Sequence, residues 1–569
     1  MDEAQHDPVS DRTLFGMGEV QHGPLFKALQ LVVLLQWLED DDLDALQTTS
    51  LKTCATCRGT RPYLVRVNAF TPQTLWRRPV TRTEHACIVS GDGQHSRVQS
   101  RVPPARVTRI LWEGGLVNWP VQPEDWISTV EEVCFGSDVN TYSFAGRGWP
   151  LGVKTIHFGD SFDMFLVDTV ACCARIQKIC FGRDFNCPLY AVIWPSHLKI
   201  LSFGSRFNQN LAGVCLPTGL EEIVLGSGFD KPIDHVRWPP GLLRLTFGFG
   251  FRQNVNKTKW PPSLRELTFG WKFTKSIEGV KWPASLRRLI FGRGFNKPLT
   301  GAQFPPNLKY LKFGFYFNQN LEGVDWPLGL SQLVLSGRFN QPLTEVNFPP
   351  TLESLILDGH DFDQPLEQVP WPRSLKELAV GTSFDQSLLG VSLPSNLRVV
   401  SLGGFRGHFV DQGSLEKVVF PAHLETLTFG YRFNSDVLHL SWPQGLKRLT
   451  FGDMFDQPIA TVVWPARLQF LKLGDAFNQD VVGMGWPKAM DTVIFGKTFN
   501  GQLRAREMPA GLKNLNLHRG YSRHMDPVDM WPVGVQKAML ELAGGVRVPR
   551  ITSSDSIPCL KCGCEKTEW

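Results

Sequence analysis

The sequence predicts a repeat solenoid of α/β type, with a parallel β-sheet on its concave side and mostly irregular loops on its convex side, preceded by a small helical module. Three observations carry that expectation. One phrase, as in "KWPASLRRLIFGRGFNKPLTG" (281–301), returns every 22 or 23 residues; its apolar residues keep fixed offsets; and the first fifty residues differ in charge and pattern from all that follow. Units this short cannot bury their apolar faces alone. Stacked, they make mostly one long domain, where 569 residues would ordinarily hold three or four.

Taking as zero the residue before the glycine that ends each expected strand, the register runs from Trp112 through Phe291 and Phe313 to Leu517. It comprises nineteen units with a single longer step of 27 residues, across the insertion "GGFRGHFVDQG" at 403–413. A period in this range belongs to solenoids in which each turn adds one short strand to a continuous parallel sheet. In the unit around Phe291, Leu289 and Phe291 are two residues apart and share one face of the strand, while Arg288 and Ile290 take the other. Leu286 opens the L-x-x-L-x-F pattern, and Gly292 permits a sharp exit. Phe295 returns to the core, and Asn296 is suited to bonding loop backbone. Pro283 and Pro298 keep the return arc extended and stop it from becoming a regular α-helix.

Nine residues before each register point stands a large apolar residue, usually followed by proline. Trp fills that slot in eleven units, Trp282 among them, so most of the eighteen tryptophans read as core rather than as a ligand cage. Phe304, Phe348, Phe420, Leu216, Leu393 and Met508 substitute there, as an apolar slot tolerates. Cys172 and Cys173 stand where one unit would have Trp-Pro.

These residues closely resemble the FNIP repeat, a variant of the leucine-rich repeat named for its Phe-Asn-x-Pro core, here written "FNCPL", "FNKPL", "FNQPL" and "FDQPL". The resemblance covers residues 105–520 and implies a curved, leucine-rich-repeat-like solenoid with parallel strands on the concave side. Where the usual leucine-rich repeat places Asn, this chain has Phe295, so the familiar asparagine ladder is expected to be shifted or replaced.

Residues 1–50 carry two basic and ten acidic side chains, residues 51–109 eleven basic and two acidic, which sets off an N-terminal module. A disordered stretch is expected over 1–20, a helical module over 21–60, and a basic connecting or capping region over 61–104, with no clear register. Past the repeats, 521–569 reads as a C-terminal cap and cysteine-containing tail. "LLQWLEDDDLDAL" (34–46) has the apolar spacing of two short helices around an acidic turn. One reading is a plain cap on the first repeat, which an open solenoid needs. The segment also resembles an F-box, through Leu34, Leu35, Trp37, Leu38, Glu39, Asp42, Leu43 and Leu46 in order. The usual Leu-Pro opening is reordered, however, and "TTSLKTC" replaces the downstream Val-Cys-Lys. The resemblance implies that Leu34, Leu35, Trp37, Leu38, Leu43 and Leu46 bind the Skp adaptor of a cullin-RING ubiquitin ligase while the solenoid holds the substrate. A general scaffold or ligand-recognition protein without a ubiquitin role is the alternative.

A protein partner is expected on two sets of solenoid residues. Positions three and one before each register point look out from the sheet and vary in charge and size; Arg244, Glu266, Arg288 and Tyr310 are among them. Two residues after the register point come Phe249, Trp271, Arg293 and Phe315, with Lys272 and Tyr316 beside them. At strand spacing they would line up about 5 Å apart, and aromatic residues among basic ones suit a protein interface. Packing against the next loop is the competing explanation. A net charge of +5 over this length gives nucleic acid little support as a partner.

Other classes are excluded or left thin. The chain has no Gly-rich phosphate loop leading into Lys-Ser or Lys-Thr, no H-E-x-x-H and no G-x-S-x-G, so neither an enzyme nor a cofactor is expected. The apolar run at Leu31–Leu38 is too short to cross a bilayer. The acidic opening is unlike a secretory signal, so a cytoplasmic or nuclear protein with reduced thiols is expected. Cys54-x-x-Cys57 with His85 and Cys87, and Cys559-x-x-Cys562-x-Cys564, read either as metal ligands or as isolated thiols.

Overall fold

The computed structural model describes residues 131–137, 152–166, 175–357, 359–403, 418–518, 521, 526 and 530–535, together with the Arg109 side chain and the backbone of three earlier strands. The chain divides into two units, Met1–Tyr63 and Leu64–Trp569. The F-box-like segment and the cysteines at 54, 57, 559, 562 and 564 lie outside the described residues.

The second unit is built on one 21-stranded sheet. Strands β3 (Arg109–Glu113) to β21 (Asn514–Asn516) correspond one to one with the nineteen register points, each lying within or just past its strand. Every strand pairs in parallel with the next in the chain, in constant register. Across β9 (Arg244–Thr246), β10 (Glu266–Thr268), β11 (Arg288–Ile290) and β12 (Tyr310–Phe313), Leu245, Leu267, Leu289 and Leu311 stand opposite one another. Two strands precede the expected series, β1 (Arg66–Val67) and β2 (His85–Val89), and β2 pairs with β3. They lie within the stretch expected to be a basic connecting or capping region.

The α/β expectation needs correction: helix is nearly absent among the described residues, confined to a 3-10 turn at Ala505–Glu507 and one turn at 533–535. None of the described helices is long and apolar enough to cross a membrane. Three tight turns stand in place of the helix in most of the described repeats. After β11, the amide of Phe295 donates to Gly292 O at 3.2 Å, that of Ala302 to Leu299 O at 3.0 Å and that of Leu308 to Pro305 O at 3.1 Å. Proline supplies a fixed φ at these corners and cannot continue a helical ladder. Gly301 adopts φ 74° at the middle corner, where a side chain is strained. Gly292 is glycine for a different reason: a Cβ there would come 2.1 Å from the Gly270 carbonyl oxygen of the preceding turn.

The core is a pair of phenylalanine columns. Phe269, Phe291 and Phe313 stack at 5.6 and 5.4 Å between centroids, and Phe273, Phe295 and Phe317 at 6.1 Å, with about 4 Å separating the two columns within a turn. Trp260 and Trp282 stack at 5.8 Å along the third side, and Phe304 stacks on Trp326 at 5.9 Å in the same slot. The Trp282 indole N–H has no hydrogen-bond partner in the protein, which is why Phe serves there equally well.

The asparagine ladder is present, one residue after the phenylalanine. Asn296 Oδ1 accepts the backbone N–H of Asn318 at 3.0 Å and the Gln319 amide at 2.8 Å. Asp230 does the same for Arg252 and Gln253. Only an acceptor oxygen is required, so Asn and Asp interchange, and the Gln of "FNQ" and "FDQ" is the second donor to the turn before it.

Candidate functional site

Phe291 and Phe295 both turn inward, and Gly292 must be bare. Arg293 is therefore the first side chain able to emerge as the chain leaves the strand, and the same holds for the corresponding residue of each turn. Successive turns are stitched at this point by backbone bonds. The amide of Lys272 donates to Phe249 O at 2.9 Å, that of Gly294 to Trp271 O at 2.8 Å, that of Tyr316 to Arg293 O at 2.9 Å and that of Arg338 to Phe315 O at 2.7 Å. A column of side chains is thereby held at the strand exits on a fixed backbone.

Those side chains are rings with cations set among them. Phe249 meets Trp271 edge-on at 5.3 Å, with the Lys272 ammonium 5.0 Å from the Phe249 centroid. The Arg293 guanidinium lies between two rings, 4.4 Å from Trp271 and 4.9 Å from Phe315. Phe315 meets Tyr316 edge-on at 5.1 Å. Each cation–π contact contributes about 0.5–1 kcal/mol when exposed and ~2 when desolvated. All six residues expected in this row are brought together.

Two more join it that sequence reasoning missed. Arg338 lies 5.1 Å from the Tyr316 ring and 5.9 Å from Phe315, and the His360 ring is 6.3 Å from Phe315. In "LSGRF" the residue two past the register point is Gly337, which takes φ 69°, so the cation arrives one position late. Carrying the offset of Lys272 and Tyr316, three past the register point, one turn further would have found it.

The other four expected residues sit on the outer face of the sheet and are largely engaged with neighbours there. Arg244 donates from Nε and Nη2 to Glu222 at 2.9 and 2.7 Å, and that hydrogen bond raises its pKa further. The Arg288 guanidinium stacks 3.7 Å over the Tyr310 ring. Glu266 is exposed and attracts Arg244.

Charge is concentrated where the row lies. Between Arg244 and Tyr316 the chain carries fourteen Lys and Arg against two Asp and Glu, a net +12; the whole chain is +5, so the rest is −7. Flat cations held face-on by rings, in a basic field, suit carboxylates or other anions.

The FNIP Repeat family model matches residues 207–250, 275–316, 295–324, 317–360, 362–405 and 412–454. Trp271 and Lys272 fall in the gap between two matched stretches. The solved structure of CroV588, described as a novel circular leucine-rich-repeat protein, is 25% identical, covers 75% of this chain and 77% of its own, and has a TM-score of 0.52. A TLR13 complex with the single-stranded RNA ssRNA13 is 15% identical, with 80% and 74% covered and a TM-score of 0.55, a likeness of fold alone. No curated protein matches the chain.

Proposed function

We propose, from a chain that carries FNIP repeats across residues 207–454, that the protein is a non-enzymatic interaction protein whose solenoid holds an acidic protein partner along the row from Phe249 to Arg338. The observation that carries this is Arg293 set between Trp271 and Phe315 inside a segment of net +12. A leucine-rich-repeat-like solenoid is typically an interaction scaffold, and no catalytic family is indicated. A panel of acidic unstructured peptides titrated onto wild type, Trp271→Ala and Arg293→Ala tests it. Each substitution should weaken the peptides that bind by about tenfold, or ~1.4 kcal/mol. Equal binding by all three proteins, or a single-stranded RNA displacing every peptide, overturns it.

The finer reading is a substrate-recognition adaptor of a cullin-RING ubiquitin ligase, acting in the cytoplasm or nucleus. Its support is the order of modules, an F-box-like segment at Leu34–Leu46 ahead of an FNIP-repeat solenoid. A pull-down of the Skp adaptor by the intact chain, lost when residues 1–60 are removed, is the expected result. Capture by neither chain leaves a general scaffold without a ubiquitin role.

A further inference from the structure

Far from the cation row, the outer face of the sheet carries a cluster of a different kind. On β4 (Glu132–Phe135), Glu132 and Cys134 are two residues apart and share a face. Cys134 stands opposite His157 of β5 (Thr155–His157), and His157 opposite Cys180 of β6 (Lys178–Cys180). His157 Nε2 lies 3.2 Å from Glu132 Oε1, and Cys134 Sγ lies 3.6 Å from the same oxygen. The carboxylate oxygen, the sulfur and the imidazole nitrogen are all within 4.8 Å of one another. Cys134 is 2% exposed, and the Glu132 and His157 side chains 20% and 14%.

We propose that Glu132, Cys134 and His157 form a metal site for a divalent transition ion of zinc type. One carboxylate, one thiolate and one imidazole is a donor mixture zinc accepts and magnesium or calcium does not. Tetrahedral ligand atoms around zinc lie about 3.3–3.8 Å apart, so these three atoms need only a small side-chain closure. The ion's two charges are matched by carboxylate and thiolate with a neutral imidazole. Arg109, which donates from Nε to the other carboxylate oxygen, and Cys180, hydrogen-bonded to His157, are positioning residues that orient two of the ligands. Binding needs the imidazole nitrogen and the Cys134 sulfur free of protons, so uptake of the ion weakens as the pH falls.

The test is Co²⁺ and Zn²⁺ titration of the full reduced chain, compared with Cys134→Ser and His157→Gln. Cysteines elsewhere can bind metal too, so the readout is a difference. Wild type should take up one equivalent more than either variant, with thiolate-to-cobalt charge-transfer absorbance to match. Hydrogen exchange on wild type alone guards against variants that misfold: zinc should slow exchange in peptides covering 131–137, 155–158 and 178–181. Equal stoichiometry in all three proteins, no metal bound, or no protection in those peptides overturns the proposal.

Discussion

Asn318 Oδ1 accepts the backbone N–H of Asn340, one turn further along the chain, at 3.0 Å, and the Gln341 side-chain amide at 2.9 Å. Asp363 and Asp456 hold the same position elsewhere and accept the same backbone bond. Asn318→Asp should therefore leave the denaturation midpoint nearly unchanged. Asn318→Ala strands two donors and should cost about 1–3 kcal/mol. Faster hydrogen exchange at the Asn340 amide in the alanine variant alone would confirm the acceptor's role.

Arg293 is gripped by flat surfaces on both sides, which a lysine ammonium cannot fill in the same way. Arg293→Lys should lose stability by roughly 0.5–1 kcal/mol although the charge is kept. A double-mutant cycle with Trp271→Ala should return a coupling of similar size, and a coupling near zero would show the stacking to be incidental.

Gln368 is the non-glycine residue with positive φ among those described, at 60°, and it is exposed. Left-handed backbone costs a side-chain-bearing residue roughly 1–2 kcal/mol, and glycine's added chain entropy returns part of that. Gln368→Gly should raise stability by about 0.5–1 kcal/mol. Gln368→Ala, which keeps the Cβ, should not. Thermal melting of the three proteins decides it.

Phe295 is fully buried between Phe273 and Phe317, whereas Trp282 occupies a slot where Phe304 stands one turn on. Phe295→Ala should cost about 3–5 kcal/mol. Trp282→Phe should cost under about 1.5 kcal/mol, since it removes an indole N–H that has no protein partner. Denaturant titration that ranked the two in the opposite order would show the conspicuous tryptophans to be the stronger framework.

The register was legible because every turn repeats one packing problem, and Leu289, Phe291 and Phe295 are all as buried as their spacing requires. The row through Trp271 and Arg293 was legible for the opposite reason, as large side chains at a position the framework leaves free. Arg338 escaped because Gly337 fills the second position of that strand exit and leaves the cation at the third. Glu132, Cys134 and His157 escaped because two of the three lie on one strand and the third 23 residues on. Their nearness depends on the lateral register of neighbouring strands, which sets Cys134 opposite His157. The return arcs were expected to be irregular; their three tight turns are closed by backbone groups, as from Phe295 to Gly292 and from Leu308 to Pro305, which a pattern of side chains does not display.

The side-chain ladder runs one way. Among the described residues, Asp163, Asn186, Asn208, Asp230, Asn296, Asn318, Asn340, Asp363, Asn434, Asp456 and Asn478 each accept a backbone N–H of the turn that follows. A chain made from its N-terminus therefore finds the acceptors for those turns already in place when they emerge. Ordering can follow synthesis from one coil to the next, and a coil that fails to form withholds its template from all those still to come.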